Sequence, residues 1–427
     1  MIRIIFFLCL LSFSYCILSA QQQRNIDFYQ RLAYKNNPVL KQNNNVQHIV
    51  LLQNDLLKIT NYKPQISLTG DLMFTPALLR NGKVISFANS YEDNGLGYDA
   101  ALSNRTLYAG QLNLTQNIFN RKIVQTAISQ NNTYNETVEL ANKQLKHDID
   151  KNVSDQYIGI YQTQQQMNYV QQIIRKINER KNIVEQLVKK GVMAESDFLM
   201  LGMTLMEEEN GYELLRIQLI SQLGQLQLLC NMKDTTIYEF EKPDLVLSSP
   251  VHEFQYQQKY VTDSSYIDWQ QKVSETKYLP QVSLIANSGI YSSNISTLYR
   301  NIGFSGGVHL NLPIYDGQQR KNVAQQFQLE KENLKIGRDF SDGQIHASLN
   351  YLKQQISGTE KSIHMLDEQI KSHEQLLNIL KEKIVIGQTS VTDYLVSLQE
   401  YATTCRSRAM TETNLLLLIN QYNYINW

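Results

Sequence analysis

The sequence predicts a mixed α and β membrane protein that contains an internal two-fold repeat. Three observations support this fold class. One order of elements occurs twice along the 427 residues, two long stretches have helical periodicity, and four short segments alternate between apolar and polar residues. Proline is rare, with 7 in the chain, and this favours long helices because proline breaks a helix interior.

The first 20 residues predict a secretory signal peptide. Arg3 precedes an apolar core, and Ser19 and Ala20 offer a small-residue cleavage site before a polar glutamine run. A retained membrane anchor is the alternative, but the apolar segment is short. Cys16 is not expected to carry a lipid, because Tyr15 precedes it where a small residue is normally required.

The internal repeat is visible in three pairs of similar segments. Tyr62-Lys-Pro-Gln-Ile-Ser-Leu recurs as Tyr278-Leu-Pro-Gln-Val-Ser-Leu, an offset of 216 residues. The segment that starts at Leu114 resembles the one at Leu310, and Gly191 is matched by Gly387, both at an offset of 196. The first copy therefore carries an insertion, between about residues 79 and 104, whose glycines and asparagines predict a long loop.

The two copies define the expected organisation of the mature chain. The first repeat covers residues 21–240 and the second covers residues 241–427. Each begins with a helix, predicted over residues 26–61 and 251–277, and a proline ends each helix because residues before proline disfavour the helical conformation.

A helix of unusual length follows the strands of each repeat. Residues 122–190 contain no proline and a single glycine, and residues 320–385 also lack proline. At 1.5 Å per residue the first stretch spans roughly 100 Å, which no globular core matches. These helices are therefore expected to pack sideways, as a coiled coil or a wall of helices. The helical hairpins reverse direction at about residues 188–197 and 384–393.

Four segments alternate with the period of a β-strand. They cover about residues 65–79, 104–118, 281–292 and 302–313. Apolar residues on one face and polar residues on the other are typical of a membrane β-barrel around water. A soluble sandwich is the alternative, but four strands make a poor one. Four strands also cannot close around a pore, so an oligomer is needed to remove the strand edges.

Composition argues against two other classes of protein. Lys+Arg and Asp+Glu both number 40, so the chain lacks the basic excess that is usual in nucleic-acid binders. The seven histidines form no tight metal spacing, and neither a glycine-rich phosphate loop nor a nucleophile elbow is present. We therefore expect no catalytic residue, no cofactor and no metal ligand.

The cysteines of the mature chain are expected to stay reduced. Cys230 lies 39 residues beyond Gly191, whereas Cys405 lies 18 residues beyond Gly387. If both helices start level, the gap of 21 residues places the thiols roughly 30 Å apart. A disulfide needs Cα atoms within about 7 Å, so two free, buried thiols are predicted.

Two kinds of motif resemble a known family. Leu312-Pro-Ile-Tyr-Asp-Gly-Gln-Gln-Arg is similar to the L-P-(I/L)-(F/Y)-D-G-G-x-R signature of TolC-type outer-membrane efflux proteins, and Gln116-Asn-Ile-Phe-Asn-Arg is a degenerate copy. In the family this signature marks the strand-to-helix junction, which places Pro313, Asp316 and Gly317 there. The segments that start at Gly191 and Gly387 resemble the family's hairpin tips.

The resemblance implies an outer-membrane channel, or outer membrane factor. Three identical chains would share a twelve-stranded β-barrel in the lipid of the cell outer membrane, and their helices would form an α-barrel through the periplasm. The partners would be a periplasmic membrane-fusion adaptor and an inner-membrane RND or ABC transporter. The function would be passive exit in tripartite efflux or type I secretion. The alternative is a periplasmic coiled-coil adaptor or scaffold protein without a channel.

The resemblance also assigns roles to residues of the tips. Adaptor docking falls on Gly191, Val192, Gly387 and Gln388, and the pore-entrance candidates are Asp197, Asp393 and Lys190. Both acids also suit the first turn of a helix, where the dipole favours carboxylates.

The gating pattern of the family is not reproduced in this sequence. Its gating tyrosine and arginine fall at Ile384 and Thr389, and its second pore acid falls at Val396. Lys189, Lys190 or Lys383 is a candidate partner for Asp197 instead.

Overall fold

The computed structural model describes residues 25–75, 77–80, 83–86, 105–233, 239–251, 254–292 and 299–427. The predicted signal peptide lies outside the described residues. The helices are α1 (Ile26–Asn36), α2 (Pro38–Tyr62), α3 (Arg121–Lys189), α4 (Glu195–Cys230), α5 (Gln255–Thr276), α6 (Gln319–Val385) and α7 (Val391–Ile425). The strands are β1 (Gln65–Thr75), β2 (Ala77–Arg80), β3 (Lys83–Ser86), β4 (Arg105–Ile118), β5 (Gln281–Ser292) and β6 (Ile302–Asn311). None of the described helices is long and apolar enough to cross a membrane.

The chain forms two compact units, and each takes residues from both predicted repeats. One contains the described parts of residues 1–42, 140–257 and 338–427, and it includes both helical hairpin tips. The other contains the described parts of residues 43–139 and 258–337, and it includes the strands.

The strand unit holds a four-stranded antiparallel sheet in the order β1-β4-β5-β6. The register places like residues side by side in the outer pairs, where Leu68 lies opposite Leu112, and Leu284 lies opposite Val308. In the central pair β4–β5 the match is looser, because Leu112 lies opposite Ser288. The four strands therefore share one mainly apolar face and one mainly polar face. Within the described residues, β1 and β6 each pair with a neighbour on one side only, so they are the edges of this sheet.

Gly289 shows how closely two strands of this sheet approach. A Cβ atom at this position would lie 2.1 Å from the carbonyl oxygen of Gly110, a distance that backbone atoms cannot accommodate. A glycine is therefore required at this point on β5, where the strand pairs with β4.

Three predicted element boundaries need correction. The first strand ends at Thr75 rather than residue 79, and the last ends at Asn311 rather than residue 313, next to a proline that has no N–H for the ladder. The expected loop of the insertion is partly wrong, because β2 and β3 pair as a separate antiparallel hairpin. Residues 87–104 of the insertion lie outside the described residues.

The predicted helix over residues 26–61 is two helices. Its break falls at Asn37 and Pro38, where a proline forces the preceding residue out of the helical conformation. Asn37 completes both ends, because its N–H donates to the carbonyl of Ala33 and its side chain accepts from Val39 and Leu40. The second expected helix is slightly shorter than predicted and covers Gln255–Thr276.

In the helical unit, a tyrosine ties the start of each repeat to its long helix. Tyr34 on α1 donates a hydrogen bond to Asp150 on α3, and Tyr256 on α5 donates one to Asp342 on α6. Burial raises the pKa of Asp150, whereas the hydrogen bond from Tyr256 lowers the pKa of Asp342. The tyrosine–aspartate hydrogen bond is therefore more buried in the first repeat than in the second.

Both described cysteines are free and buried, as predicted. Cys405 belongs to a cluster near the hairpin tips, and Cys230 belongs to a different cluster around Tyr29 and Phe240. Burial raises the pKa of the Cys230 thiol to about 11, so this thiol is un-ionised at neutral pH.

Candidate functional site

The candidate site is formed by the two hairpin tips, where α3 turns into α4 and α6 turns into α7. At the first tip Gly191 has φ +70°, and its N–H donates to the carbonyl of Val188 while that of Val192 donates to Leu187. At the second tip Gly387 has φ +72° and donates to Ile384, while Gln388 donates to Lys383. Both are Schellman caps, which place glycine in the left-handed conformation just beyond the helix.

The next helix at the first tip begins without a side-chain cap. Ala194 occupies the N-cap of α4, and its methyl group can accept no hydrogen bond. Asp197 is half-buried in the first turn of α4, and its backbone N–H donates to the carbonyl of Ala194. The described residues show no hydrogen bond to the Asp197 carboxylate.

The next helix at the second tip begins with a complete capping box. Ser390 Oγ accepts from the N–H of Asp393 at 3.0 Å, and the Asp393 carboxylate accepts from the N–H of Ser390 at 3.3 Å. The hydroxyl of Thr389 also donates to that carboxylate, at 3.2 Å. Hydrogen bonds from the Ser390 side chain, the Ser390 backbone and Thr389 hold the pKa of Asp393 below its ordinary value. Asp393 is exposed, and its carboxylate is already engaged at the start of α7.

The lysines of the tips do not pair with Asp197 as hypothesised. Lys189 donates instead to Glu185, one turn earlier on its own helix, at 2.8 Å. Lys190 and Lys383 are exposed, and among the described residues neither forms an ion pair with Asp197. The tips therefore present free cationic side chains beside apolar ones such as Val192 and Ile386, which are 59% and 64% exposed.

Directly behind the tips, the two hairpins share one apolar core. Its members come from all four hairpin helices and include Ile177, Leu201, Ile384, Tyr394 and Leu398. Because this cluster crosses from one hairpin to the other, a movement of either tip must disturb it. We call it the tip core.

The three positions that depart from the family's gating pattern have distinct environments. Ile384 is buried in the tip core, Thr389 supports the capping box, and Val396 is an exposed apolar residue on α7.

The strand-to-helix junctions lie in the strand unit. Pro313 follows the end of β6, and Asp316 caps α6 by accepting from the N–H groups of Gln318 at 3.0 Å and Arg320 at 2.9 Å. Gly317 has φ +61°, which glycine adopts without strain. At the first junction Phe119 has φ +60°, although bulky residues rarely adopt this conformation.

Sequence reasoning missed one buried charge beside the tip core. Arg180 on α3 is 2% exposed, which makes it one of the largest fully buried side chains described. Its position three residues after Ile177 and four before Val184, on the apolar side of α3, was the available signal. Over the described residues, no group of three or more His, Cys, Asp or Glu side chains could hold a metal ion.

The fold is that of bacterial outer-membrane channels, as the resemblance to TolC-type proteins predicted. No protein-family model and no curated protein matches the sequence. Among solved structures, the chain is similar to the Campylobacter jejuni CmeC outer membrane channel, with 16% identity, a TM-score of 0.70 and coverage of 94% of this chain and 85% of that one. It is also similar to the Vibrio cholerae outer membrane protein VceC, with 12% identity, a TM-score of 0.70 and coverage of 95% and 97%. A third similar structure is the open state of the Neisseria gonorrhoeae MtrE outer membrane channel, with 12% identity, a TM-score of 0.66 and coverage of 94% of this chain and 89% of that one.

Proposed function

We propose that this chain is the outer-membrane channel of a tripartite efflux or type I secretion system. It gives passive exit to substrates that an inner-membrane RND or ABC transporter and a periplasmic membrane-fusion adaptor deliver. The observation that carries the proposal is the register of the sheet, which aligns one mainly apolar and one mainly polar face across the four strands. Such a two-faced sheet suits lipid on one side and water on the other.

The proposed assembly is a homotrimer in the outer membrane that extends into the periplasm. Three copies of the four-stranded sheet give twelve strands, and closing them into a barrel removes the edges at β1 and β6. The hairpin tips dock the adaptor through Gly191, Val192, Gly387 and Gln388. Lys190, Asp197 and Asp393 line the pore entrance, and the exposed apolar side chains beside them support a protein partner at this end.

A pair of neighbouring substitutions tests the membrane role of the sheet. Leu112 lies on the apolar face of β4, and Asn113 lies on the polar face directly after it. Leu112→Lys places a charge in lipid, at a cost of about 2–4 kcal/mol near the bilayer midplane, whereas Asn113→Lys places the same charge in water. We expect L112K to reduce the heat-modifiable trimer in the outer-membrane fraction, and N113K to leave its amount unchanged.

Planar-bilayer recordings of the purified wild-type protein test the channel itself. A stepwise conductance is expected, and N113K is expected to shift its ion selectivity towards anions because it adds positive charge to the pore wall. Recovery of the wild-type protein in the soluble periplasmic fraction, without conductance, would instead establish an adaptor or scaffold.

A further inference from the structure

Arg180 is a buried charged residue, which is rare in a protein interior. It lies against the tip core, near Ile177 and Val184 on its own helix and Tyr394 on α7. Arginine is almost never fully buried unless it is paired. A buried charge of the same unit shows the usual solution, because Glu208 on α4 forms an ion pair with the half-exposed Arg406 on α7 at 2.8 Å.

The partners of Arg180 satisfy only part of its guanidinium. Nη1 donates to the backbone carbonyl of Lys381 at 3.4 Å, which is long for a hydrogen bond. The guanidinium also contacts Tyr394, whose hydroxyl accepts a hydrogen bond from it and whose ring centre lies 5.7 Å away. Among the described residues its Nε has no hydrogen-bond partner, and no ion pair to a carboxylate neutralises it.

Both partners of Arg180 belong to the second hairpin. Lys381 lies near the end of α6, where the helix dipole is negative, and Tyr394 lies in the first turn of α7. Arg180 itself is on α3, so its weak contacts cross the interface between the hairpins. The C-terminal dipole, the Tyr394 hydroxyl and the aromatic face attract a cation, but they replace neither a carboxylate nor all the water that a free guanidinium holds.

We propose that Arg180 is a built-in destabilising element of the packed tips. Burial costs its hydration, and the contacts across the hairpin interface repay that cost only in part. When the second hairpin moves away from the first, water reaches the guanidinium and satisfies all five N–H donors. Arg180 therefore favours separation of the hairpins, and the apolar contacts of the tip core oppose it.

Hydrogen exchange at the start of α7 tests this inference in the intact protein. Arg180→Met keeps a long side chain and removes the charge. We expect the amides of residues 394–398 to exchange about tenfold more slowly in R180M, because the packed state no longer buries an under-satisfied cation. Arg180→Gln also removes the charge and keeps a polar head, so it is expected to slow exchange by a smaller factor.

Lys176→Met is the matched control. Lys176 lies one turn before Arg180 on α3, and its ammonium is 5.6 Å from the centre of the Tyr401 ring, so the two cations make the same kind of contact. Lys176 is only half-buried and stays hydrated, and K176M is expected to change the exchange rates by less than about twofold.

Faster exchange in R180M and R180Q would show that Arg180 stabilises the packed hairpins. Unchanged exchange would show that Arg180 favours neither the packed nor the separated hairpins. Either result overturns the inference. The test needs no conductance, so failure of the proposed channel leaves the exchange result intact. If the channel role holds, R180M should also open less often than K176M in bilayer recordings.

Discussion

The two hairpin tips end their first helices in the same way but begin their second helices differently. Gly191 and Gly387 adopt nearly the same left-handed conformation and form the same pair of backbone hydrogen bonds. Ser390 and Asp393 then close a capping box, whereas Ala194 at the first tip caps nothing. The left-handed conformation at the end of the first helix of each tip restricts that position to few residue types, whereas the N-cap of the second helix can vary. The second tip is consequently held more firmly than the first.

Valine in place of either tip glycine should have the largest effect. Open space surrounds both positions, so the cost of Gly191→Val and Gly387→Val comes from backbone strain alone, about 1–2 kcal/mol for each. We expect loss of efflux with trimers intact, because the tips can no longer hold their docking shape. Efflux from cells and trimer bands on gels measure the two properties.

Asparagine at the same positions is the control, because it tolerates the left-handed conformation better than other non-glycine residues. G191N and G387N should retain most of the efflux that the valine variants lose. Normal efflux from both valine variants would contradict the docking role of these glycines.

Removing the cap of the second tip should have the next largest effect. Ser390→Ala deletes the acceptor for the Asp393 N–H and should destabilise the start of α7 by about 1 kcal/mol. Hydrogen exchange over residues 391–394 should then approach the rates at the start of α4. If the rates at Ser390→Ala do not change, the capping box is not what separates the two tips.

Adding a cap to the first tip is the converse change. Ala194→Ser creates the same Ser-x-x-Asp spacing that the second tip has, because Asp197 already stands three residues later. The start of α4 should gain about 0.5–1 kcal/mol, measured as slower exchange over residues 195–198. Ala194→Val adds bulk without an acceptor and should give no gain.

The smallest expected effect is a pH dependence confined to the second tip. The pKa of Asp393 is depressed in the folded protein, so its stabilising contribution is present above the unfolded pKa of about 3.9 and is lost as pH falls through the lower folded pKa. Protection of residues 391–394 should exceed that in Asp393→Asn at neutral pH. This difference should shrink below about pH 4 and should not appear at the first tip of the wild-type protein.

Much of the fold was predictable because its elements are long and periodic. The alternation of Leu112 with Asn113, or of Val308 with His309, indicates the two faces of the sheet before any register is known. The Ser390-x-x-Asp393 spacing could likewise have identified the capping box. Pro38 marks the helix break, because the residue before a proline disfavours the helical conformation.

The burial of Arg180 was only partly predictable from the sequence. Its spacing from Ile177 and Val184 indicates the apolar side of the helix, but the charged neighbours Glu179 and Lys181 favour a solvated residue. Its burial depends on where α6 and α7 pack against α3, which is a property of the tertiary fold. The pairing of Lys189 with Glu185, in contrast, is an i,i+4 pair on one helix, so spacing along the chain does indicate it.

The open edges of the four-stranded sheet have a consequence for biogenesis. Unpaired backbone groups recruit any strand that they meet, and this sheet also exposes an apolar face to water. A lone protomer is therefore most prone to aggregate in the interval between export and encounter with its sister chains. Assembly of the proposed trimer competes with aggregation of single protomers. The yield of trimer should therefore rise with protomer concentration and with a periplasmic holdase that shields the strand edges.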